Sequence, residues 1–197
     1  MPPNQSLEGI AKQLRCFARP SCQTVRTHQP VRAEIFWIPE LDGARLAVMP
    51  RPRSDEWLSG EVASWRLAGV NRVVSLLEPH ESRELGLGAE KKLCEENGLT
   101  FTSFLVQDRG VPSSLNETVG LVRSIHDDLL QGEGVAIHCR AGIGRSGLIA
   151  GCVLINLRIP EDEVFPRITR ARGVKVPDTP EQIAWLTRFA RERKNAL

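Results

Sequence analysis

The fold of this chain is decided by residues 135–147, VAIHCRAGIGRSG. Residues 135–137 form a short apolar run with β-branched side chains, which is typical of a buried strand. Gly142 and Gly144 follow and permit backbone conformations that other residues avoid. The next apolar run, residues 146–157, has no charged residue and is too short to cross a bilayer, so it predicts a core helix. The pattern is therefore strand, tight loop and helix.

Such a loop suits phosphate chemistry based on a thiolate. The backbone N–H groups of residues 140–146 can point inward and form an anion-binding cup at a helix N-terminus. The same N–H groups and the helix dipole favour the ionised form of Cys139, which makes it a nucleophile. Arg145 can offer two parallel N–H groups to phosphoryl oxygens. The Ser146 hydroxyl can hydrogen-bond the thiolate when a phosphocysteine breaks down, and His138 is expected to orient the cysteine backbone. The predicted phosphate-binding residues are Arg140, Ala141, Gly142, Ile143, Gly144 and Arg145.

The spacing of cysteine and arginine is not the signal by itself. Cys152 and Arg158 repeat the same spacing, but the residues between them include no glycine and predict a buried helix. The glycine-bearing context of Cys139 is what distinguishes it.

The pattern His138-Cys139-x-x-Gly142-x-x-Arg145-Ser146 resembles the signature loop of the cysteine-dependent protein tyrosine phosphatases. The intervening residues make it most similar to the dual-specificity phosphatases. The resemblance implies an α/β fold with a central mixed, mainly parallel sheet flanked by helices. It also implies phosphomonoester hydrolysis through a phosphocysteine, without a metal or other cofactor. The alternative is a reduced cysteine at a tight turn between a strand and a helix.

The family also carries an aspartate upstream that protonates the leaving oxygen, and Asp108 fits that position. It follows the apolar run 101–106 in a loop with glycine and proline, whereas Asp127 and Asp128 lie in a helical stretch. The alternative is that Asp108 only caps a turn. The family often has proline before this aspartate and this chain does not, which puts closure of the loop in question. Arg109 can pair with the acid, reach a substrate phosphate, or stay solvated.

Two further residues are candidates with open alternatives. By resemblance, Gln182 orients the hydrolytic water, but Thr179, Pro180 and Gln182 also form a capping box at a helix start. Glu78, at the end of the apolar run 73–77, can anchor Arg145, although solvent exposure is the preferred interpretation.

The rest of the chain alternates strands with helices, which argues for a sheet covered on both faces. Strands are predicted at residues 35–38, 45–49, 73–77 and 101–106. Helices are predicted at residues 54–68, before Gly98, at residues 115–130, and in three segments after the loop. Residues 1–33 are polar and predict a loosely ordered arm, and residues 34–197 predict one phosphatase domain.

Composition excludes several classes of function. The 197-residue chain has a net charge of +2 and no basic run interleaved with aromatics, so no nucleic-acid partner is expected. No signal peptide or membrane span is predicted, and five cysteines at irregular spacing favour a reducing, cytoplasmic setting.

Cys16, Cys22 and His28 lack a fourth ligand, so no metal is expected. Cys94 can protect the nucleophile, but a packing role is preferred.

The substrate is the least determined feature. The chain contains no tyrosine, so none can stack on a phosphotyrosine ring, and we expect a shallow pocket that also accepts phosphoserine and phosphothreonine. The expected partner is a phosphorylated protein or peptide, and the oligomeric state is left open. Arg140 adds positive charge at the mouth and keeps a phosphoinositide or other small phosphomonoester as the alternative. A second alternative is a module that binds phosphoresidues without turnover.

Overall fold

A five-stranded sheet runs through the computed structural model, which describes residues 34–195. The strands are β1 (Phe36–Trp37), β2 (Arg45–Met49), β3 (Arg72–Ser75), β4 (Thr100–Ser103) and β5 (Gly134–His138). Their spatial order is β1-β2-β5-β3-β4, with β1 antiparallel to β2 and the other pairs parallel. The predicted mixed, mainly parallel sheet is confirmed. The predicted arm, with Cys16, Cys22 and His28, lies outside the described residues.

Helices cover both faces of this sheet. They are, after a 3₁₀ turn at Asp55–Trp57, α1 (Leu58–Leu67), α2 (Pro79–Glu84), α3 (Glu90–Glu96), α4 (Leu115–Leu130), α5 (Gly144–Asn156), α6 (Glu161–Arg172) and α7 (Pro180–Asn195). Helices α4 to α7 bury apolar side chains on one face, and α1 and α3 do so on the other. Within the described residues, no helix is both long and apolar enough to cross a membrane.

Successive side chains of the central strand β5 point to opposite faces of the sheet and pack into two separate cores. Val135 and Ile137 of β5 face the core that contains α5, while Ala136 faces the core that contains α1. All three are fully buried, as expected for a parallel strand with helices on both sides.

The three central strands end at the same level. His138, the last residue of β5, pairs in register with Met49 of β2 and Ser75 of β3. Cys139 therefore emerges at the carboxyl edge of the sheet, between the ends of two neighbouring strands. In open α/β sheets this edge is where binding sites form.

The element predictions are largely confirmed, with differences at strand ends. The bounds of β2 and α4 agree with the prediction, and Ser114 caps α4 by accepting the N–H of Glu117 at 3.2 Å. Strand β3 ends at Ser75, two residues before the apolar run does. Leu76 and Leu77 remain buried in the following connection, so hydrophobicity alone overestimates the strand.

Helix α5 is packed closely enough to require small residues. A Cβ on Gly147 would overlap the side chain of Val176, and a Cβ on Gly151 would press on Val164 and Leu186. Both glycines are buried.

We expect Gly147→Ala to destabilise the fold by about 1–3 kcal/mol, because the added methyl displaces Val176. The matched control is Gly120→Ala on α4, where a Cβ meets no atom within 4 Å and a gain of up to about 1 kcal/mol is expected. Urea denaturation of both variants measures the difference, and equal effects would contradict the packing argument.

Candidate active site

The guanidinium of Arg172, at the end of α6, binds the outside of the signature loop, residues 138–146. Its Nε donates to the carbonyl of Gly142 and its Nη2 to the carbonyl of Ala141, both at 3.0 Å. The Phe36 ring lies 4.1 Å from the guanidinium carbon, in a cation–π contact that supports the arginine. Because the guanidinium is planar, it fixes two successive carbonyls together.

The neighbouring carbonyls are also bonded to donors. The carbonyl of Arg140 accepts the N–H of Arg51 at 3.2 Å, and that of Ile143 accepts the N–H of Gly147 at 3.2 Å. A trans peptide holds its C=O and N–H on opposite sides, so the N–H groups of residues 141–144 point away from these donors, into the loop. The loop therefore presents a row of donors suited to an anion.

This geometry requires glycine at position 142 and brings Gly144 close to the side chain of Asp178. Gly142 has a φ of 70°, and a Cβ there would overlap the backbone of Met49 and Pro50. A Cβ on Gly144 would overlap the carboxylate of Asp178. The loop is thus seated directly on the end of β2 and on the segment before α7.

Cys139 lies at the start of the loop with its thiol facing Ser146. The Cys139 Sγ and Ser146 Oγ atoms are 3.5 Å apart, and both residues are buried. Helix α5 has no side-chain cap and no acidic residue in its first turn, so its N-terminal N–H groups remain available to an anion.

Arg145 is held by a buried ion pair with Glu81. Arg145 Nη1 donates to Glu81 Oε2 at 2.6 Å and Nη2 donates to Oε1 at 3.0 Å, so the pair is bidentate. Nη1 also donates to the carbonyl of Val106 at 3.0 Å. Both charged residues are 2% exposed. The guanidinium is therefore fixed before any substrate binds.

The pair perturbs the titration of both partners. Burial alone would raise the pKa of Glu81 and lower the pKa of Arg145. Hydrogen bonds from Arg145 and the N–H of Glu78 outweigh burial, and the pKa of Glu81 lies below its ordinary value. The bond to Glu81 and the negative charges of Cys139 and Asp108 raise the pKa of Arg145. Both groups are stabilised in their charged forms.

Asp108 lies at the same guanidinium. Its Oδ1 is 2.9 Å from Arg145 Nη2, and its side chain is 55% exposed. The predicted acid therefore reaches the site, where it occupies one of the groups that a phosphate would use. Arg109 beside it is exposed and has a φ of 57°.

The anchor of Arg145 is Glu81, which the sequence analysis missed. Glu78 instead caps α2: its side chain accepts the N–H of Glu81, while Glu81 Oε2 accepts the N–H of Glu78 at 3.0 Å. Glu78 is therefore half-buried rather than solvent-exposed. The sequence signal was the Glu-Pro-His-Glu capping box at residues 78–81, which predicts a helix start that turns Glu81 back toward the strand end.

Gln182 is fully buried and connects the loop that contains Asp108 (residues 106–112, here called the acid loop) to the start of α7. Its Nε2 donates to the carbonyl of Gly110 at 3.0 Å, and its Oε1 accepts the N–H of Asp178 at 3.2 Å. Its own N–H donates to Thr179 Oγ1 at 3.3 Å, which is the capping contact. Both ends of the amide are thus engaged in this structure.

His138 is fully buried against a carboxylate. Its Nε2 lies 2.9 Å from Oε1 of Glu90, the first residue of α3. Cys94 packs in the core on the same helix, and burial together with the charge of Glu90 raises the pKa of its thiol to about 12. Cys94 is therefore a neutral packing residue.

We expect Glu81→Gln to reduce stability by about 3 kcal/mol at neutral pH, because it leaves the buried Arg145 without its carboxylate. Since folding lowers the pKa of Glu81, its contribution is complete above its ordinary pKa of 4.5 and is lost as pH falls through the lower folded value. The difference between wild type and variant should therefore shrink in acid. Urea denaturation across pH measures it, with the exposed Glu84→Gln as control, and a pH-independent difference would contradict the assignment.

We expect Arg172→Gln to lower kcat/KM toward an aryl phosphate by about 10- to 100-fold, because the loop N–H groups lose their alignment. Arg172→Lys should recover only part of this, since an ammonium cannot bind both carbonyls as a planar fork. Arg170→Gln on the same helix, which loses only an exposed contact with Glu40, is the control. Equal activity of the Arg170 and Arg172 variants would refute the role of Arg172.

Comparison with known proteins identifies the family of this chain. The family model of the polymorphic toxin system DSP-PTPase phosphatases matches residues 47–158. Protein tyrosine phosphatase domain-containing protein 1 of Bos taurus is 30% identical over 125 residues, which cover 58% of this chain but only 16% of that protein.

Two solved structures show the same fold. Kinase associated phosphatase, with its catalytic-site cysteine replaced by serine, has a TM-score of 0.76 at 18% identity and covers 86% of this chain and 99% of its own. PTPMT1 in complex with PI(5)P has a TM-score of 0.66 at 21% identity and covers 82% of this chain and 99% of its own. With more than half of the chain matched by the family model, this protein belongs to the DSP-PTPase phosphatases, within the cysteine-dependent phosphatase superfamily.

Proposed function

We propose that this protein is an active cytoplasmic phosphatase that hydrolyses phosphotyrosine, and also phosphoserine and phosphothreonine, in proteins. The observation that carries the proposal is the loop around Cys139, where the carbonyls of residues 140–143 are bonded to donors and leave the N–H groups on the opposite side of each peptide for an anion. Arg145, fixed by Glu81, completes a site for the three terminal oxygens of a phosphoryl group.

In the first step, the Cys139 thiolate attacks phosphorus in line with the leaving oxygen. The S–P bond forms as the P–O bond breaks, and protonated Asp108 gives its proton to the leaving oxygen. The loop N–H groups and Arg145 stabilise charge on the transferring oxygens. The phosphate takes the place of Asp108 at Arg145 Nη2, which frees the carboxyl group to face the leaving oxygen.

In the second step, water attacks the phosphocysteine and transfers a proton to the Asp108 carboxylate. The P–S bond breaks and inorganic phosphate leaves. Ser146, 3.5 Å from the sulfur, stabilises the departing thiolate by hydrogen bonding. Gln182 donates to the carbonyl of Gly110 in the acid loop, and orienting the water would require its amide to exchange that bond.

A phosphoinositide is the second candidate substrate, and one observation favours it. Arg140 is exposed on the signature loop and Arg109 is exposed next to Asp108, and neither forms an ion pair with any residue in the described range 34–195. Such cations can bind a second phosphate on the same molecule. PTPMT1, which shares this fold, has been solved in complex with PI(5)P, and this supports the second candidate.

We expect wild type to hydrolyse an aryl phosphate, and Cys139→Ser to abolish that activity. Asp108→Asn should lower kcat by about 10²- to 10⁴-fold and remove the fall in rate toward alkaline pH, because it cannot supply a proton. Steady-state kinetics across pH in the presence of reductant measure both effects.

The matched controls are Cys94→Ala and Asp127→Asn, a packing cysteine and an exposed carboxylate outside the site. Turnover by Cys139→Ser would refute the nucleophile. Absence of turnover in folded, reduced wild type that still binds phosphopeptide would instead identify a binding module.

A further inference from the structure

A cavity of about 700 Å³ lies at the end of α5 that is remote from the signature loop. Its lining comes from the last turn of α5, the connection to α6, the first turn of α6 and the last turns of α7. Ile155, Ile159 and Ala190 form the apolar part of this lining, and the two isoleucines also pack against the core. Pockets for small organic molecules typically measure about 300–1,000 Å³, so this cavity has the size of a ligand site.

Two arginines, Arg158 and Arg193, line the same cavity. Arg193 Nη2 donates to Asn156 Oδ1 at 2.5 Å, which holds this guanidinium against the end of α5. Burial and the positive charges of Arg123 and Arg158 lower the pKa of Arg193. The three arginines are therefore close enough to repel one another, and we call them the arginine cluster.

Within residues 34–195, no carboxylate forms an ion pair with any member of the arginine cluster. Glu161 and Asp162 also line the cavity, but they lie in the first turn of α6, where the helix dipole stabilises their charge. The guanidinium groups of Arg158 and Arg193 thus keep their N–H donors available to an incoming anion. A guanidinium offers a planar pair of donors that matches a carboxylate or a phosphate.

The backbone at Arg158 is a second observation that points to this side chain. The N–H of Arg158 donates to the carbonyl of Ile155 at 3.1 Å, and that of Ile159 donates to the carbonyl of Leu154 at 3.0 Å. This pair of bonds ends α5 in a Schellman motif, which places Arg158 at a φ of 67°. Glycine is the usual residue at this position, and a larger residue there is strained. Such strained residues are typical of functional sites.

We propose that this cavity binds a small organic anion. Its carboxylate or phosphate group lies between Arg158 and Arg193, and its apolar body lies against Ile155, Ile159 and Ala190.

The cavity is separate from the candidate active site. Helix α5 has 13 residues and carries the signature loop at its start, so about 20 Å separates its two ends. Helix α6 begins at the cavity and ends at Arg172, and α7 has Gln182 at its start and Ala190 at the cavity. The anion is therefore expected to bind without competing with a phosphate at Cys139, and this inference does not depend on turnover.

The test is a titration of the full chain followed by the amide signals in two-dimensional NMR. Sodium octanoate and octylphosphonate should shift the signals of Ile159 and Ala190, and the tighter of the two identifies the preferred anionic group. Octan-1-ol and octylamine, which keep the apolar body, and acetate, which keeps the charge, should each bind roughly tenfold or more weakly than octanoate.

Arg193→Gln and Arg158→Gly should each weaken octanoate binding roughly tenfold, because each removes one charged donor pair. Arg188→Gln is the matched control, since Arg188 is exposed on α7 and lines no part of this cavity. Arg158→Gly should also unfold at a higher urea concentration than wild type, because glycine accepts the positive φ without strain. Loss of binding in that variant therefore does not report unfolding.

Three results would overturn the proposal. The first is binding of octan-1-ol or octylamine as tight as that of octanoate, which would leave the arginines without a role. The second is unchanged octanoate affinity in both Arg158→Gly and Arg193→Gln. The third is a set of shifted signals confined to residues 139–146, which would place the anion in the signature loop instead.

Discussion

The bidentate ion pair between Arg145 and Glu81 is the interaction on which the site depends. A guanidinium buried to this degree would be costly without a carboxylate, and a carboxylate at the same depth would be costly without a cation. Each partner therefore offsets the cost of burying the other's charge. The pair also joins the first turn of α5 to the start of α2, and the carbonyl of Val106 joins the start of the acid loop to the same guanidinium. Three separate segments are set in position by one side chain.

The orientation of the signature-loop backbone is the second requirement of the site. Residues outside the loop provide it through hydrogen bonds to the loop carbonyls. The carbonyls of residues 140–142 accept hydrogen bonds from Arg51 and Arg172. The N–H group on the opposite side of each of these peptides is therefore left for the site. In the proposed mechanism, the side chains of the loop that act on the substrate are those of Cys139, Arg145 and Ser146. Because the folded chain already orients these N–H donors, the proposed reaction requires little further reorganisation of them.

Sequence reasoning found what is encoded locally. The strand, the glycines and the apolar helix around Cys139 are contiguous, and Asp108 follows a recognisable apolar run. Glu81 and Arg172 were missed because their partners are distant: Glu81 lies 64 residues from Arg145, and Arg172 lies 30 residues from Gly142. Such distant contacts leave no periodic pattern in the sequence, because they depend on how the helices pack. The ends of β3 and β4 were overestimated because the residues that follow each strand, Leu76 and Leu77 after β3 and residues 104–106 after β4, are as apolar as the strands themselves.

The way Arg172 holds the loop has a consequence for how such proteins diversify. Its bonds go to main-chain carbonyls, so they do not depend on which side chains stand at positions 140 and 141. Ile143 packs against the core that contains α5, whereas Arg140 and Ala141 are exposed. Substitutions there can accumulate during evolution, or be introduced by design, and redirect recognition while the cup stays intact. Gly142 has no such freedom, because the neighbouring chain at Met49 occupies the space that any side chain would need.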